Sequence, residues 1–430
     1  MSVDAKGPWY AVTILFVLYC LSFVDRFALA LLAAPIRSTL GVTDTQFGLL
    51  LGPAFGIVYA LAALPLAHLI DNKHRISLLS LGVMTWSLCT MASAFASNFI
   101  ILLLLRAGVA IGEAVLSAAA ISLIADLFSA EKRTLPTAVY VSVGTFMGAG
   151  AFVVGGAALD LATSLAPQAG LVPWQLTLVL VGLPGLLIAT LLRLTVPEPA
   201  RRNDPGVAAG NYSTVTQAFV YVRKEARLYA FLIGGLAIFA IGSYASPSWM
   251  PTLLIRGHGV APADAGYLYG LTGVFGGVLG TVFWPIFIRA RLLRGHRNVK
   301  INLLLCAAIV APVLLAAAGL APSKTLLLLA AGSAIFFISI AALVPALIIQ
   351  DLAPARMRAR LMATLYTAMN LVGSGAGPVL VPLIAGRFFT EPRALGGGFA
   401  VIGIVVAVVS SAAIWLARKR YRECIAGLSL

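Results

Sequence analysis

The sequence predicts an all-α membrane protein: twelve transmembrane helices in two pseudo-symmetric six-helix bundles, with both termini in the cytoplasm. Three observations carry this. First, 60% of the 430 residues are hydrophobic and 10% are charged, where a soluble domain holds roughly 25% charged residues; mean hydropathy is +0.99. Second, apolar runs near the roughly 20 residues that cross a bilayer recur twelve times along the chain. Third, lysine and arginine fall unevenly between alternate loops.

The first run, 9–34, is long and apolar yet holds Asp25 and Arg26 side by side. Its length, that pair and the lack of a small-residue cleavage site argue against a cleaved signal peptide. The second, 44–70, opens on "TDTQ", a capping box. Runs 76–96 and 99–126 follow, the latter with Arg106 and Glu113. Run 134–160 contains the glycine-rich "GTFMGAGAFVVGG", and 172–195 closes the first half. The domain division is 1–197, a cytoplasmic linker at 198–227, and 228–430. The linker opens on Pro- and charge-rich "PEPARRNDPG" and continues into "STVTQAFVYVRKEARLY", which can form an amphipathic surface helix. The second half supplies runs 228–254, 263–289, 300–319, 324–350, 358–385 and 396–418.

The net charge of +15 raises nucleic acid as a partner, and the positions of the charges turn it away. With cytoplasmic termini, 23 of the 30 basic residues fall in inside segments, five in outside loops, and Arg26 and Arg106 lie within helices. This is the positive-inside distribution. Attraction to anionic membrane lipids is a second consequence. The four cysteines are scattered without a CxxC pair, and the four histidines are dispersed, so neither disulfides nor a metal site is expected.

The halves repeat. At an offset of 225, Asp126 meets Asp351, Arg133 meets Arg358, Gly148 meets Gly373 and Gly150 meets Gly375. At 218, Gly41 meets Gly259, Gly48 meets Gly266 and Gly52 meets Gly270. Parallel repeats of this kind describe the major facilitator architecture. The chain resembles that superfamily over essentially its whole length. "AHLIDNKHRISLL" is similar to its loop signature G-x-L-x-D-R-x-G-R-R: Asp71 and Arg75 match, while Ala67, Asn72 and His74 depart from it. Within the superfamily the chain resembles the Spinster lipid transporters. "FVDRFALA", "LGVTDTQFGLLLGPAFGIVYALAALPLA", "RAGVAIGEA", "IADLFSAEKR" and "VPWQLTLVLVGLPG" carry that likeness, with Gln175 where an arginine is usual. The Asp-Arg pair is shared with organic-anion symporters of the same superfamily.

Four ionisable residues inside apolar helices cost about 2.5–3.5 kcal/mol each on insertion scales if unpaired, so pairing or a wet cavity is expected. Arg106 and Glu113 stand seven residues apart on one helix face; Asp25 and Arg26 are about 100° apart on theirs. The resemblance implies that helices 1 and 4 line the cavity of the first half. The expected arrangement therefore has Asp25 and Glu113 sharing Arg106, with Arg26 facing a substrate headgroup. Burial favours a neutral carboxyl and a nearby guanidinium an ionised one, so Asp25, Arg106 and Glu113 are candidates for proton coupling. An inert ion-pair network that fixes helix packing is the alternative.

Other candidates keep two readings. Asp44 is a helix-cap residue or lies at an outer cavity mouth. Asp71, Arg75, Lys132 and Arg133 form a cytoplasmic latch or an ordinary solvated cluster. The glycine-rich helix 5 is similar to the superfamily's antiporter signature without its proline, or simply packs closely. Tyr244, Ser246, Ser248 and Trp249 in helix 7, with Tyr366, Thr367 and Asn370 in helix 11, form a wall for cargo or pack the bundle. The expected function is proton-coupled transport of a lipid-like amphiphile, a lysophospholipid or sphingoid lipid, by alternating access. The alternative is an organic-anion symporter or multidrug antiporter. No P-loop, HExxH or GxSxG motif is present, so no enzyme activity and no cofactor beyond a proton gradient are expected. A monomer in a bacterial inner membrane is expected.

Overall fold

The computed structural model describes residues 6–129, 131–201, 225–353, 355–390 and 394–427. The amphipathic helix expected in the linker falls largely outside these residues. Among them are fourteen helices and no strand. In the first half they are α1 (Lys6–Leu31), α2 (Ala33–Leu40), α3 (Asp44–Leu51), α4 (Pro53–Asn72), α5 (Arg75–Ser93), α6 (Phe99–Leu127), α7 (Thr134–Ala169) and α8 (Pro173–Thr195). The second half has α9 (Ala226–His258), α10 (Pro262–Leu293), α11 (Val299–Gly319), α12 (Lys324–Leu352), α13 (Ala355–Phe388) and α14 (Ala394–Gly427). Twelve spans among the described residues are long and apolar enough to cross a membrane.

Two of the expected helices are interrupted. Run 9–34 ends its first helix at Leu31, because Pro35 has no N–H to give the Leu31 carbonyl. Run 44–70 breaks at Gly52, whose φ of −107° and ψ of −93° leave the helical region just before Pro53. A proline suits the first position of a new helix and disfavours helical geometry before it. Run 134–160 instead continues to Ala169 as α7 and ends on Gly170.

The repeat shows in local geometry. Gly41 and Gly259, matched by the 218 offset, both sit at φ +64°, a left-handed conformation that glycine adopts without penalty. Close helix approach also depends on missing side chains. A Cβ on Gly82 would lie 2.8 Å from the Gly112 carbonyl oxygen, and one on Gly112 would lie 2.8 Å from the Trp86 nitrogen. Small residues permit such backbone contact in lipid, where apolar surface gives helices little reason to associate. This contact seats α6, with Arg106 and Glu113, directly against α5.

The chain forms two compact units. One comprises Met1–Asn203 with Leu254–Val274; the other comprises Asp204–Leu253 with Phe275–Leu430. The division read from the sequence kept all of 228–430 together. Part of α9 and α10 instead joins the first unit, where Tyr267 donates to Asp160 at 2.9 Å and Tyr269 packs edge-on against Phe152 at 5.0 Å. The core of the first unit centres on Leu15, Leu18, Val83, Trp86 and Leu116. That of the second includes Leu232, Trp284, Leu304, Val344 and Tyr421, with Trp284 and Phe336 rings 4.8 Å apart.

Candidate functional site

The intramembrane charges of α1 and α6 meet in the first unit. Asp25, Arg106 and Glu113 are all buried. Arg26 pairs with Glu113, Nη2 to Oε2 at 2.7 Å, and its side chain stays 32% exposed. Asp25 turns the other way and accepts from Thr90 Oγ1 at 2.7 and 2.8 Å. Arg106 Nη2 donates to the Arg26 carbonyl oxygen at 3.3 Å. The expected sharing of Arg106 by two acids is therefore replaced by an Arg26–Glu113 pair. The roughly 100° between neighbours on α1 sends Asp25 toward α5 and Arg26 toward α6, and the longer arginine reaches the acid.

Arg106 Nε and Glu113 Oε1 have no hydrogen-bond partner among the described residues. Asp25, Thr90, Ser93 and Arg106 also line a cavity of about 10 Å³, close to the room one water needs. Phe55, just past the Gly52 break, lies 4.5 Å from the Arg26 guanidinium carbon and 4.7 Å from that of Arg106. Its ring face attracts both cations without adding a titratable group. With two acids and two bases the cluster is balanced in charge when all four are ionised, and one added proton leaves it with net charge +1.

The ion-pair cluster at the α4–α5 turn has other members than those expected of a latch. Arg75 is fully buried and pairs with Asp126 and with Glu198, the latter at 2.7 Å. It also donates to Ser122 Oγ at 3.0 Å and to the Pro199 carbonyl oxygen at 2.9 Å. Asp71 stands exposed, as does Lys132, and Arg133 is half-buried. The signature aspartate sits at the end of α4, whereas Arg75 begins α5 and points into the unit. Arg201 reaches back to the carbonyls of Ile70 and Lys73 at 2.7 and 2.9 Å, so the segment after α8 straps the turn. The same pairing recurs at the 225 offset, where Lys300 meets Asp351 at 2.5 Å.

Asp44 opens α3 but does not cap it, and its side chain forms ion pairs instead. Thr43 and Gln46 form the reciprocal capping box around it, while its own carboxylate pairs with Arg37 at 2.7 Å and Arg256 at 3.0 Å.

In the second unit Tyr244 donates to Asn370 Oδ1, and Asn370 Nδ2 donates to the Tyr366 carbonyl oxygen at 2.9 Å. Tyr366, Thr367 and Asn370 are exposed. Ser248 is buried and donates to the Tyr244 carbonyl oxygen in its own helix at 2.9 Å, and Ser246 is buried. Trp249 is fully buried, and its indole N–H donates to the Pro378 carbonyl oxygen at 2.8 Å. Trp249 and Ser248 thus pack the unit's interior, whereas Tyr366, Thr367 and Asn370 are accessible and Tyr244 is half-buried.

The family model described as Major Facilitator Superfamily matches residues 15–372. The chain belongs to the Major Facilitator Superfamily. It is 28% identical to an MFS-type efflux pump of Mycolicibacterium smegmatis, over 98% of this chain and 96% of that one. It is 27% identical to protein spinster homolog 3 of Danio rerio over 65% of this chain, and the match spans 58% of that relative's length. The crystal structure of a bacterial homologue of the human lysosomal transporter Spinster, inward-facing and unoccupied, superposes with a TM-score of 0.82 at 26% identity. That match covers 98% of both chains. This major facilitator is accordingly an integral multi-pass membrane transporter with Spinster-like relatives, and it is not an enzyme.

Sequence reasoning missed Thr90, Phe55, Asp126, Glu198 and Arg201 as members of these clusters. The repeat signalled Asp126, because Asp126 and Asp351 coincide at the 225 offset and each meets a base 51 residues earlier. Glu198 carried no signal, since it lies in a stretch that reads as linker.

Proposed function

We propose that this major facilitator is a proton-coupled transporter of lipid-like amphiphiles, a lysophospholipid or sphingoid lipid, working by alternating access with both termini cytoplasmic in a bacterial inner membrane. The observation that carries the reading is the balanced buried cluster in which Glu113 holds Arg26 while Asp25 and Arg106 lie beside it without a direct ion pair. Protonation of Glu113 cancels its attraction for Arg26 and releases a half-exposed guanidinium to an anionic headgroup. Cargo binding and proton uptake then favour each other, because the cluster tolerates one extra positive charge best when an anion arrives with it. Asp25 and Arg106 act as the second acid–base pair, and the unpartnered Glu113 Oε1 and Arg106 Nε are the atoms left to exchange partners. Tyr244, Tyr366 and Asn370 suit the uncharged part of an amphiphile. The Spinster likeness supports a lipid-like cargo.

The relative named as an efflux pump, matched over nearly its full length, favours a second reading in which the cargo is a drug-like amphiphile exchanged for protons. Purified protein in liposomes separates the two. Fluorescent lysophospholipid is expected to accumulate when a pH gradient is imposed, with a weaker response to a lipophilic cationic dye. Gradient-driven movement of the dye without movement of lysophospholipid would establish the second reading.

A further inference from the structure

The short turn between α10 and α11 borders a cavity of about 570 Å³, within the 300–1,000 Å³ range of ligand pockets. All of its wall belongs to the second unit. Arg291, His296, Arg297 and Asn302 line it together with Phe287 and Leu303, and no carboxylate does. Arg291 lies 5.2 Å from the Phe287 ring, which steadies the guanidinium. A further cation borders the wall, because Arg418 donates to Asn302 Oδ1 at 3.0 Å.

Nothing described in this unit neutralises those charges. The sequence has no acidic residue between Asp264 and Asp351. Asp351 is held by Lys300, and Glu225 and Glu423 by Arg420. The cavity is also placed at a membrane boundary, since the turn joins the spans 262–293 and 299–319. One turn back along α10 the cavity-lining Phe287 stacks on Phe283 at 5.8 Å, and Phe283 is an exposed apolar ring. A cationic cup thus adjoins an exposed apolar ring on a helix long and apolar enough to cross a membrane.

We propose that this cavity binds the phosphate headgroup of an anionic glycerophospholipid drawn from the surrounding leaflet, at a site separate from the charged cluster of α1 and α6. Arg291 and Arg297 hold the phosphate oxygens, a geometry that guanidinium forks match well. Asn302 and His296 offer hydrogen bonds to the headgroup, and the acyl chains follow Phe287 and Phe283. The apolar approach selects a lipid over a free phosphate, which gains nothing from that face.

The test uses the full-length protein in zwitterionic detergent, titrated with dioctanoyl phosphatidylglycerol and followed by thermophoresis. The variant R291Q/R297Q is expected to bind about 30-fold more weakly, from about a fivefold loss per surface arginine compounded over two. R193Q, which removes an exposed arginine in the other unit, is expected to leave the affinity unchanged. Dioctanoyl phosphatidylcholine, whose phosphate charge is offset by its choline cation, is expected to bind wild type more weakly than phosphatidylglycerol does, and equimolar inorganic phosphate to displace no phosphatidylglycerol. Should the double variant fail to fold, R297Q alone, at an exposed position, carries the test with an expected loss of about fivefold. Unchanged affinity in the arginine variants, an equal loss in R193Q, or displacement by inorganic phosphate overturns the proposal.

Discussion

Arg75 offers a sharp test of how the first unit is held together. Replacing it with methionine keeps much of the volume and removes the charge. Loss of one partner from a buried ion pair costs about 3–5 kcal/mol, mostly because the remaining charge is left uncompensated. Here two carboxylates remain. The Asp126 side chain is 13% exposed and the Glu198 side chain 21% exposed, so each regains part of its hydration, Glu198 more than Asp126. That screening puts Arg75→Met toward the low end, about 3 kcal/mol. The triple variant Arg75→Met/Asp126→Asn/Glu198→Gln removes the stranded charges and is expected to recover more than half of the loss. Equilibrium unfolding in mixed micelles, followed by helical circular dichroism, measures both. A single variant that loses under about 1 kcal/mol, or a triple variant no more stable than the single, would refute the electrostatic account.

Three further outcomes follow from the geometry. Gly112→Ala places a Cβ 2.8 Å from the Trp86 nitrogen and should cost about 1–3 kcal/mol by overpacking, read as a lower melting temperature with reduced transport. Gly41→Ala and Gly259→Ala share φ +64° and have open surroundings, so each should cost about 1–2 kcal/mol; a large difference between them would contradict their matched geometry. Trp249→Phe leaves the Pro378 carbonyl without its indole donor and should cost about 1–3 kcal/mol while leaving cargo affinity unchanged. A tenfold affinity loss at unchanged stability would return Trp249 to the cargo wall.

Much of this molecule was legible in the sequence because the bilayer makes charge and glycine conspicuous. Asp25, Arg26, Arg106 and Glu113 stood out as ionisable residues in apolar helices, and they converge in one unit. Their partners were not legible, since a helical angle says which way a residue starts but not how far an arginine reaches; Arg26 therefore took the acid assigned to Arg106. Thr90 and Phe55 gave no signal, being ordinary residues in apolar helices until the fold brings α4 and α5 beside α1. The Gly52–Pro53 break was written in "LGPAF", yet hydropathy alone runs straight through it. Arg75 matched a loop signature that suggested Asp71 nearby, whereas its partners lie 51 and 123 residues away. Trp249 shows the reverse error, because a polar handle on an aromatic ring can face a backbone carbonyl as readily as a ligand.

The central claim is that the buried acids of α1 and α6 trade protons as cargo moves. It is tested most directly by recording pH outside proteoliposomes when lysophospholipid is added, comparing wild type with Asp25→Asn/Glu113→Gln. Cargo-dependent proton movement in the wild type and none in the double amide variant is the predicted result. Equal proton movement in both would contradict the claim.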